Sequence, residues 1–292
     1  MIKEITINNK FYPTLLKQIK EPPIKLYLIG NEQILNTTCF SIVGSRICSN
    51  YGTNVTLNFS SKLSKNNFTI ISGMAVGIDT AAHVGCIKAK GKTIAVLGSG
   101  FNHIFPEENI PLFNEIIKTG GAIITEYEPN EEPKSKNFPR RNRIVSGMSI
   151  GTLVVEAGYR SGATITGGLS LKQNKKVFGV PSNIENRYNA GTNMLINKGA
   201  KLVTTVEDIL IEYDMFNKKD SIKQLEIIED KKYITIPKEY VKVYTLISEK
   251  PIHIDTICRT LGEPANLVGA ILTMLELEEY IKQLPGKNFV LL

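Results

Sequence analysis

The chain has 292 residues and 42% apolar content, enough for one large core or for one large and one small core. Lysine and arginine number 35 against 28 acids, and the resulting formal charge of +7 suggests a polyanionic partner. No window approaches the ~18–20 apolar residues of a membrane span, and the N-terminus has no apolar signal core. A membrane protein is therefore excluded, and a cytoplasmic location is expected.

The cysteine and histidine spacing argues against a metal site. Four isolated cysteines match no zinc pattern, and three histidines lie far apart. The sequence also lacks GxGxxG, which disfavours a dinucleotide. We expect neither a metal nor a cofactor.

From Phe40 onward, short apolar runs alternate with helical patterns, which predicts strands buried on both faces of a parallel sheet. Residues 38–213 are therefore predicted to form a Rossmann-like, doubly wound, mainly parallel α/β domain. Residues 1–37 are predicted to be an extension made of a short helix and turns. The strand runs are FSIV, FTIIS, TIAVLG, AIITEY, GTLVVEA, KVFGVP and KLVTT.

The C-terminal part is predicted to be a separate small domain. Residues 214–237 have dense charge and predict a linker, and residues 238–292 predict three helices and a hairpin turning at Pro285–Gly286, a winged-helix layout. This tail carries 6 basic against 7 acidic residues, so its charge is −1 and the rest of the chain carries +8. Its third helix, predicted over Glu263 to Tyr280, has no Lys or Arg, whereas helices that bind DNA normally bring both. The tail therefore suits a protein contact better than DNA.

Several predicted strands end in loops of glycine and small polar residues. Gly44 allows close backbone approach to a ligand, and Arg46 can grip a phosphate beside the N-terminus of the next helix. The alternative, an ordinary turn with a solvated arginine, is about equally favoured by these residues alone. The candidate ligand-binding residues in these loops are Gly44, Ser45, Arg46, Ser72, Gly73, Ser161, Gly162 and Thr164.

Three other polar residues at this edge are predicted to be structural. Asp79 and His83 are spaced i, i+4 and could hydrogen-bond to each other on one helix. Glu156 at a strand end is expected to brace loops by accepting backbone N–H groups. No nucleophile is evident near these residues, so a catalytic role is not favoured.

The stretch KSKNFPRRNR follows the fourth predicted strand and should reach the same edge. Its cations could line a track of phosphates while Phe138 stacks on a base, a contact worth ~1–3 kcal/mol in single-strand binders. The alternative places Phe138 in the core and pairs the arginines with acids such as Glu131 and Glu132. Because so many loops gather at one edge, a long polyanion is favoured over a single nucleotide. The cations are Lys134, Lys136, Arg140, Arg141 and Arg143.

The sequence resembles the DprA/Smf family over about residues 11–292. The motifs that carry the resemblance are, in order, VGSR, SGMAVGIDTAAH, IAVLGSGFNHIFPEEN, TEY, NFPRRNRIVSGMS, VVEAGYRSGATITGGLSLKQNKKVFGVP and NAGTNMLINKGA. The lead-in YPTLLKQIKEPPIKLYLIGN and the terminal LELEEYIKQLPGKNFVLL extend it to both ends.

The resemblance implies a cytoplasmic homodimer that binds single-stranded DNA, protects incoming DNA in natural transformation and loads the RecA recombinase. It implies an extended Rossmann-like domain with a winged helix and no enzymatic activity. The DNA-contacting roles of the family fall here on Gly44, Ser45, Arg46, Phe138, Arg140 and either Lys134 or Lys136. The family often has a basic residue in YPxxN, where this chain has FPEEN, which puts a DNA contact at that place in doubt.

Two other functions are less well supported by these residues. Nucleotide phosphoribohydrolases of the lysine-decarboxylase-like group share a related sheet, but this chain lacks their PGG and places Glu156 one residue too far from Thr152, on the other face of a strand. A nucleotide-sensing regulator with the winged helix as output is disfavoured by the uncharged third helix. The sequence leaves open the dimer interface, the RecA docking surface, the partner of the winged helix and whether the host is transformable.

Overall fold

The computed structural model describes residues 2–183, 189–215, 238–248, 250–278 and 280–291. The chain divides into two compact units, a large one over Met1–Phe216 and a small one over Asn217–Leu292. Most of the predicted linker 214–237 lies outside the described residues.

The large unit is built on a nine-stranded sheet with the order β1-β2-β6-β5-β4-β3-β7-β8-β9. From β6 to β9 every neighbouring pair is parallel, which confirms the predicted mainly parallel, doubly wound sheet. The central strands are fully buried because helices cover both faces, as expected for near-continuous Ile/Val runs. The strands are β1 (Lys3–Thr6), β2 (Lys25–Gly30), β3 (Cys39–Gly44), β4 (Thr69–Ser72), β5 (Thr93–Val96), β6 (Ala122–Thr125), β7 (Gly151–Val155), β8 (Lys176–Gly179) and β9 (Lys201–Leu202).

The interpretation of residues 1–37 as a separate helix-and-turn extension is wrong. β2 pairs antiparallel with β6, and β1 pairs antiparallel with β2, so this segment forms one edge of the sheet. Leu26 and Leu28 are fully buried in the main core. The strand was missed because Pro22 and Pro23 suggested a turn immediately before KLYLIG.

Helices alternate with the strands and bring their N-termini to the carboxyl edge of the sheet. β3 lies between β4 and β7, so the strand order reverses there, and this switch point is where open α/β sheets bind ligands. α2 begins at the predicted place near Asn50, with Ser49 as its cap. The helices are α1 (Thr14–Lys17), α2 (Asn50–Lys65), α3 (Ile78–Lys88), α4 (Ile110–Lys118), α5 (Asn137–Met148), α6 (Gly162–Lys172), α7 (Ala190–Asn197) and α8 (Glu207–Leu210).

The small unit has the predicted three helices and hairpin. Its own core includes Val243, Ile257, Leu272 and Phe289, and the hairpin turns through Gly286, whose φ is +77°. The elements are α9 (Lys238–Tyr244), β10 (Ile252–His253), α10 (Ile254–Leu261), α11 (Ala265–Leu277), β11 (Ile281–Leu284) and β12 (Asn288–Leu291).

None of the helices in the described parts of the chain is long and apolar enough to cross a bilayer.

Candidate nucleic-acid interface

The loops that follow β3, β4, β5, β6 and β7 surround one open cavity of about 1150 Å³ at the switch point. The predicted gathering of loops at this edge is therefore observed. Seven of the predicted ligand-binding residues line the cavity, together with the predicted structural residues Asp79 and Glu156. The seven are Gly44, Ser45, Arg46, Gly73, Phe138, Ser161 and Gly162.

The loop after β3 presents Arg46 to solvent. The Arg46 guanidinium lies 5.6 Å from the centroid of the Phe138 ring, a cation–π contact. Ser45 stabilises the loop, since its hydroxyl donates to the Ile47 carbonyl (2.7 Å) and accepts the Ile47 N–H. Gly44 is required by packing, because a Cβ there would collide with the Val155 carbonyl.

The stretch around Phe138 is the first half of α5 and not a loop. Successive side chains on a helix differ by about 100° in direction, so its cations cannot form one track. Phe138, Arg141 and Val145, spaced i, i+3 and i+7, face the cavity. The prediction that these cations form one continuous row of phosphate contacts is therefore wrong.

Arg141 is buried and serves the protein rather than a ligand. Only 4% of it is exposed, and its Nη1 donates to the Gly73 carbonyl (2.6 Å) and to the Val96 carbonyl. Burial lowers the pKa of Arg141 to about 10. Asp79 lies nearby, where burial raises the pKa of its carboxyl and Arg141 opposes that shift. Arg141 thus ties together the ends of β4 and β5 under the cavity.

Arg143 was predicted to bind DNA, but the structure places it in an ion pair. Both of its terminal nitrogens donate to the Glu126 carboxylate, at 2.6 and 2.8 Å, and only 13% of its side chain is exposed. Arg140 is exposed and lies 3.5 Å from the same carboxylate. The alternative in which the arginines pair with acids therefore holds for Arg143, but the acid is Glu126 and not Glu131 or Glu132.

The two lysines before α5 are exposed, and neither lines the cavity. Lys134 pairs with Glu131 at 2.7 Å. Lys136 directly precedes α5, and its ammonium makes no hydrogen bond or ion pair within the described residues. Lys136 is therefore the freer of the two to meet a phosphate.

Two small hydroxyl residues predicted at the interface are turned inward. Ser72 is fully buried and donates to the Ile42 carbonyl at 2.7 Å. Thr164 is buried at 7% exposure, and its hydroxyl donates to the Ser161 carbonyl at 2.7 Å. Ser161 caps α6 by accepting the Thr164 N–H, which leaves Gly162 as the exposed residue of that turn.

The predicted hydrogen bond between Asp79 and His83 does not form. The carboxylate of Asp79 accepts the N–H groups of Gly73 (3.1 Å) and Ala75 (3.4 Å). His83 contacts the Thr93 hydroxyl through Nδ1 at 2.7 Å, and burial lowers its pKa to about 3. Both side chains are buried: Asp79 holds the loop after β4 at the cavity, whereas His83 packs against the first residue of β5, away from the carboxyl edge.

Glu156 braces the loop after β3, the kind of role the sequence indicated. Its carboxylate accepts the Ser49 N–H at 2.8 Å and the Ser49 hydroxyl at 2.5 Å, which fixes the start of α2. The residue adopts a left-handed φ of +47°, a conformation that costs a non-glycine residue of order 1 kcal/mol. Strain of this kind persists where surrounding contacts enforce it, and here the two bonds to Ser49 do so.

The residues that line the cavity and that sequence reasoning missed include Arg160 and Phe105. Arg160 is exposed, and its guanidinium has no hydrogen-bond or ion-pair partner among the described residues. The signal for Arg160 was its place between a strand end and a helix start, in GYRSG. The sequence signal for Phe105 was masked by the two acids of FPEEN, Glu107 and Glu108, which argue against a DNA contact.

Within the described ranges, no group of three or more His, Cys, Asp or Glu side chains is arranged to hold a metal ion.

Family models match both units of the chain. The model described as DNA recombination-mediator protein A matches residues 3–214, and the DprA winged helix domain matches residues 235–287. Protein Smf of Escherichia coli is 34% identical over 284 residues, covering 97% of this chain and 75% of that protein. DNA processing protein DprA of Bacillus subtilis is 39% identical over 212 residues, covering 72% and 71%.

Two solved structures are also similar. The crystal structure of DNA processing protein A from Streptococcus pneumoniae matches with a TM-score of 0.69 at 38% identity, covering 72% of this chain and 74% of that one. The Helicobacter pylori protein, described for its unique single-stranded DNA binding mode, matches with a TM-score of 0.65 at 29% identity, covering 72% and 95%. On the extent of these matches, the chain belongs to the DNA recombination-mediator protein A family, also called DprA/Smf.

Proposed function

We propose that this protein binds single-stranded DNA at the cavity of the large unit. The observation that carries the proposal is that exposed guanidinium groups and an aromatic ring line the same cavity at the switch point. Arg46 and Arg160 are exposed, line the cavity and make no ion pair within the described residues, while Phe138 lies beside Arg46. Guanidinium groups bind phosphates, and aromatic rings accept bases without regard to sequence.

The similarity to relatives supports the same function. The Helicobacter pylori relative binds single-stranded DNA, and the family model names a recombination mediator. By this analogy the protein protects incoming DNA during transformation, hands it to the RecA recombinase, works as a cytoplasmic homodimer and is not an enzyme. The residues assigned to DNA are Arg46, Arg160, Phe138, Arg140 and Lys136, with exposed backbone at Gly162.

The phosphoribohydrolase alternative is not favoured. A catalytic glutamate must have a carboxylate oxygen available to its substrate. Both oxygens of Glu156 are bonded to Ser49, at 2.8 and 2.5 Å, so this carboxylate is committed to holding α2.

The test is direct binding, measured by fluorescence anisotropy with a labelled dT oligomer, a duplex of equal length and a mononucleotide. We expect the single strand to bind far more tightly than the other two. Its log affinity should fall by roughly 0.7 per neutralised phosphate for each decade of salt. Equal affinity for the duplex, or a dissociation constant insensitive to salt, would contradict the proposal.

A further inference from the structure

Phe105 lies on the loop after β5 and exposes 45% of its surface, although it is a large apolar side chain. It lines the same cavity as Arg46 and Arg160. Its ring centroid is 5.6 Å from that of Phe138, with the two planes inclined at 58°. A half-exposed aromatic ring in the same cavity as two exposed guanidinium groups, which make no ion pair among the described residues, has the surroundings of a base-stacking surface.

Phe138, by contrast, has neighbours on several sides. A Cβ added to Gly98 would lie 2.8 Å from its Cδ1, so the Gly98 backbone is in close contact with one part of the ring. Arg46 lies over the ring at 5.6 Å, and Phe105 packs against it. Phe138 is therefore less open to a base than Phe105.

The tilt between the two rings decides how a base can be placed. Rings 5.6 Å apart at 58° leave no parallel gap for a base between them. A base can still lie on the outer face of Phe105. The exposed acids Glu107 and Glu108 follow directly and repel phosphate, so a base, and not the backbone, belongs on this side of the cavity.

We propose that Phe105 is the ring on which a base of the bound strand stacks. Phe138, assigned above to the DNA site, then belongs to it through its contacts with Phe105 and Arg46 and not as the ring that takes the base. The inference rests on the proposed single-stranded DNA binding. It assigns a binding role to the FPEEN segment, where the resemblance left a DNA contact in doubt. It also extends the binding surface from the β3 loop to the β5 loop.

The chain contains no tryptophan, which allows a local reporter. In Phe105→Trp, the single indole should lose fluorescence as a dT oligomer binds, with the same midpoint as anisotropy measured on the labelled oligomer. The matched control is Leu277→Trp, an indole at a site that is 72% exposed in the small unit. Its emission should stay unchanged under the same titration.

Affinity measurements on three further variants separate stacking from packing. Phe105→Ala and Phe105→Leu should each weaken dT binding about fivefold or more, since neither offers a flat ring. Phe105→Tyr should bind within about twofold of the parent, and none of the three should change the salt slope, because no charge is altered. Thermal melting of each variant checks that the fold is kept.

The outcomes distinguish a failure of the stacking role of Phe105 from a failure of the proposed single-stranded DNA binding. If the oligomer binds the parent but Phe105→Trp is not quenched, or if Phe105→Leu binds like the parent, Phe105 does not stack a base. If the parent itself fails to bind the oligomer, the proposed function is wrong, and the inference is overturned with it.

Discussion

Two sets of cations and polar groups in the large unit differ in the contacts that they make. The exposed pair, Arg46 and Arg160, points into the open cavity without ion-pair partners among the described residues. The buried layer beneath, Asp79, His83 and Arg141, satisfies backbone carbonyls, N–H groups and a hydroxyl. A basic residue in a motif is therefore no evidence for a ligand contact until the structure shows whether its side chain is exposed or buried.

The largest expected effect comes from the buried layer. Arg141→Ala would leave the Gly73 and Val96 carbonyls without their donor and Asp79 without its neighbouring cation. Losing such buried partners costs about 3 kcal/mol or more of the free energy of unfolding. Urea denaturation should show this loss, whereas Arg140→Ala, the same change one residue away on a side chain that is 64% exposed, should alter it by less than about 0.5 kcal/mol. Equal stability of the two variants would contradict the structural role assigned to buried Arg141.

The exposed pair should show the opposite behaviour. Arg46→Ala should weaken dT binding about tenfold, because a charge-assisted contact contributes ~1.5–3 kcal/mol, and it should flatten the salt slope. Its melting temperature should remain close to that of the parent, since the Arg46 guanidinium makes no hydrogen bond or ion pair among the described residues and lies over the ring of Phe138.

The control for that loss is Arg259→Ala, which removes the same charge from an exposed position in the small unit. It should change affinity far less. If both variants bind alike at every salt concentration, the β3 loop is not the DNA site.

A pH experiment tests the buried layer without DNA. The pKa of His83 is lowered to about 3 in the folded state, against ~6.5 when unfolded, so the unfolded chain takes up the proton first as pH falls. Stability supplied by neutral His83 is thus present above pH ~6.5 and is lost below it, by about 2 kcal/mol at pH 5. Asp79 titrates in the opposite sense, because its folded pKa is raised.

The measurement is therefore a difference between the parent and His83→Asn, an amide that can still meet the Thr93 hydroxyl. Urea denaturation at several pH values between 7.5 and 5 should show the parent losing more stability than the variant. Parallel curves for the two proteins would mean that His83 titrates normally in the fold.

The sequence was sufficient to predict the sheet, the helices and their meeting edge, because each depends on local patterns. The apolar runs of β3 to β9 indicate the strands, and the turns of small residues after them indicate the edge where the helices begin. The sequence could not predict the direction in which each side chain points. Arg140, Arg141 and Arg143 look alike in NFPRRNR, and only the helical geometry of α5, with Glu126 arriving from β6, decides which are exposed.

The same limit explains the errors at single residues. Ser72 and Thr164 have the right chemistry for phosphate, yet each hydroxyl meets a backbone carbonyl nearer to it. Phe105 was missed because its exposure and its contact with Phe138 depend on a loop and a helix that meet although the two residues are 33 positions apart in the chain. The strand β2 was missed because its partner, β6, lies almost 100 residues further along.

The smallest effect is expected when the small unit is removed. The described residues that line the cavity lie between Val43 and Asn189, inside the compact large unit. The tail from 238 onward has a net charge of −1, and α11 contains neither Lys nor Arg. Its exposed face instead carries Leu267 and Leu277, 46% and 72% exposed, which suits a protein partner.

Deleting Gln224–Leu292 should therefore leave affinity for a dT oligomer within about twofold and the salt slope unchanged, because no phosphate contact is lost. Circular dichroism must show that the large unit keeps its fold, and sedimentation must show whether its association state changes. A large fall in affinity with unchanged association would mean that the tail contacts DNA itself. A fall accompanied by dissociation would mean that the tail holds two copies together, and that DNA binding at the cavity needs both.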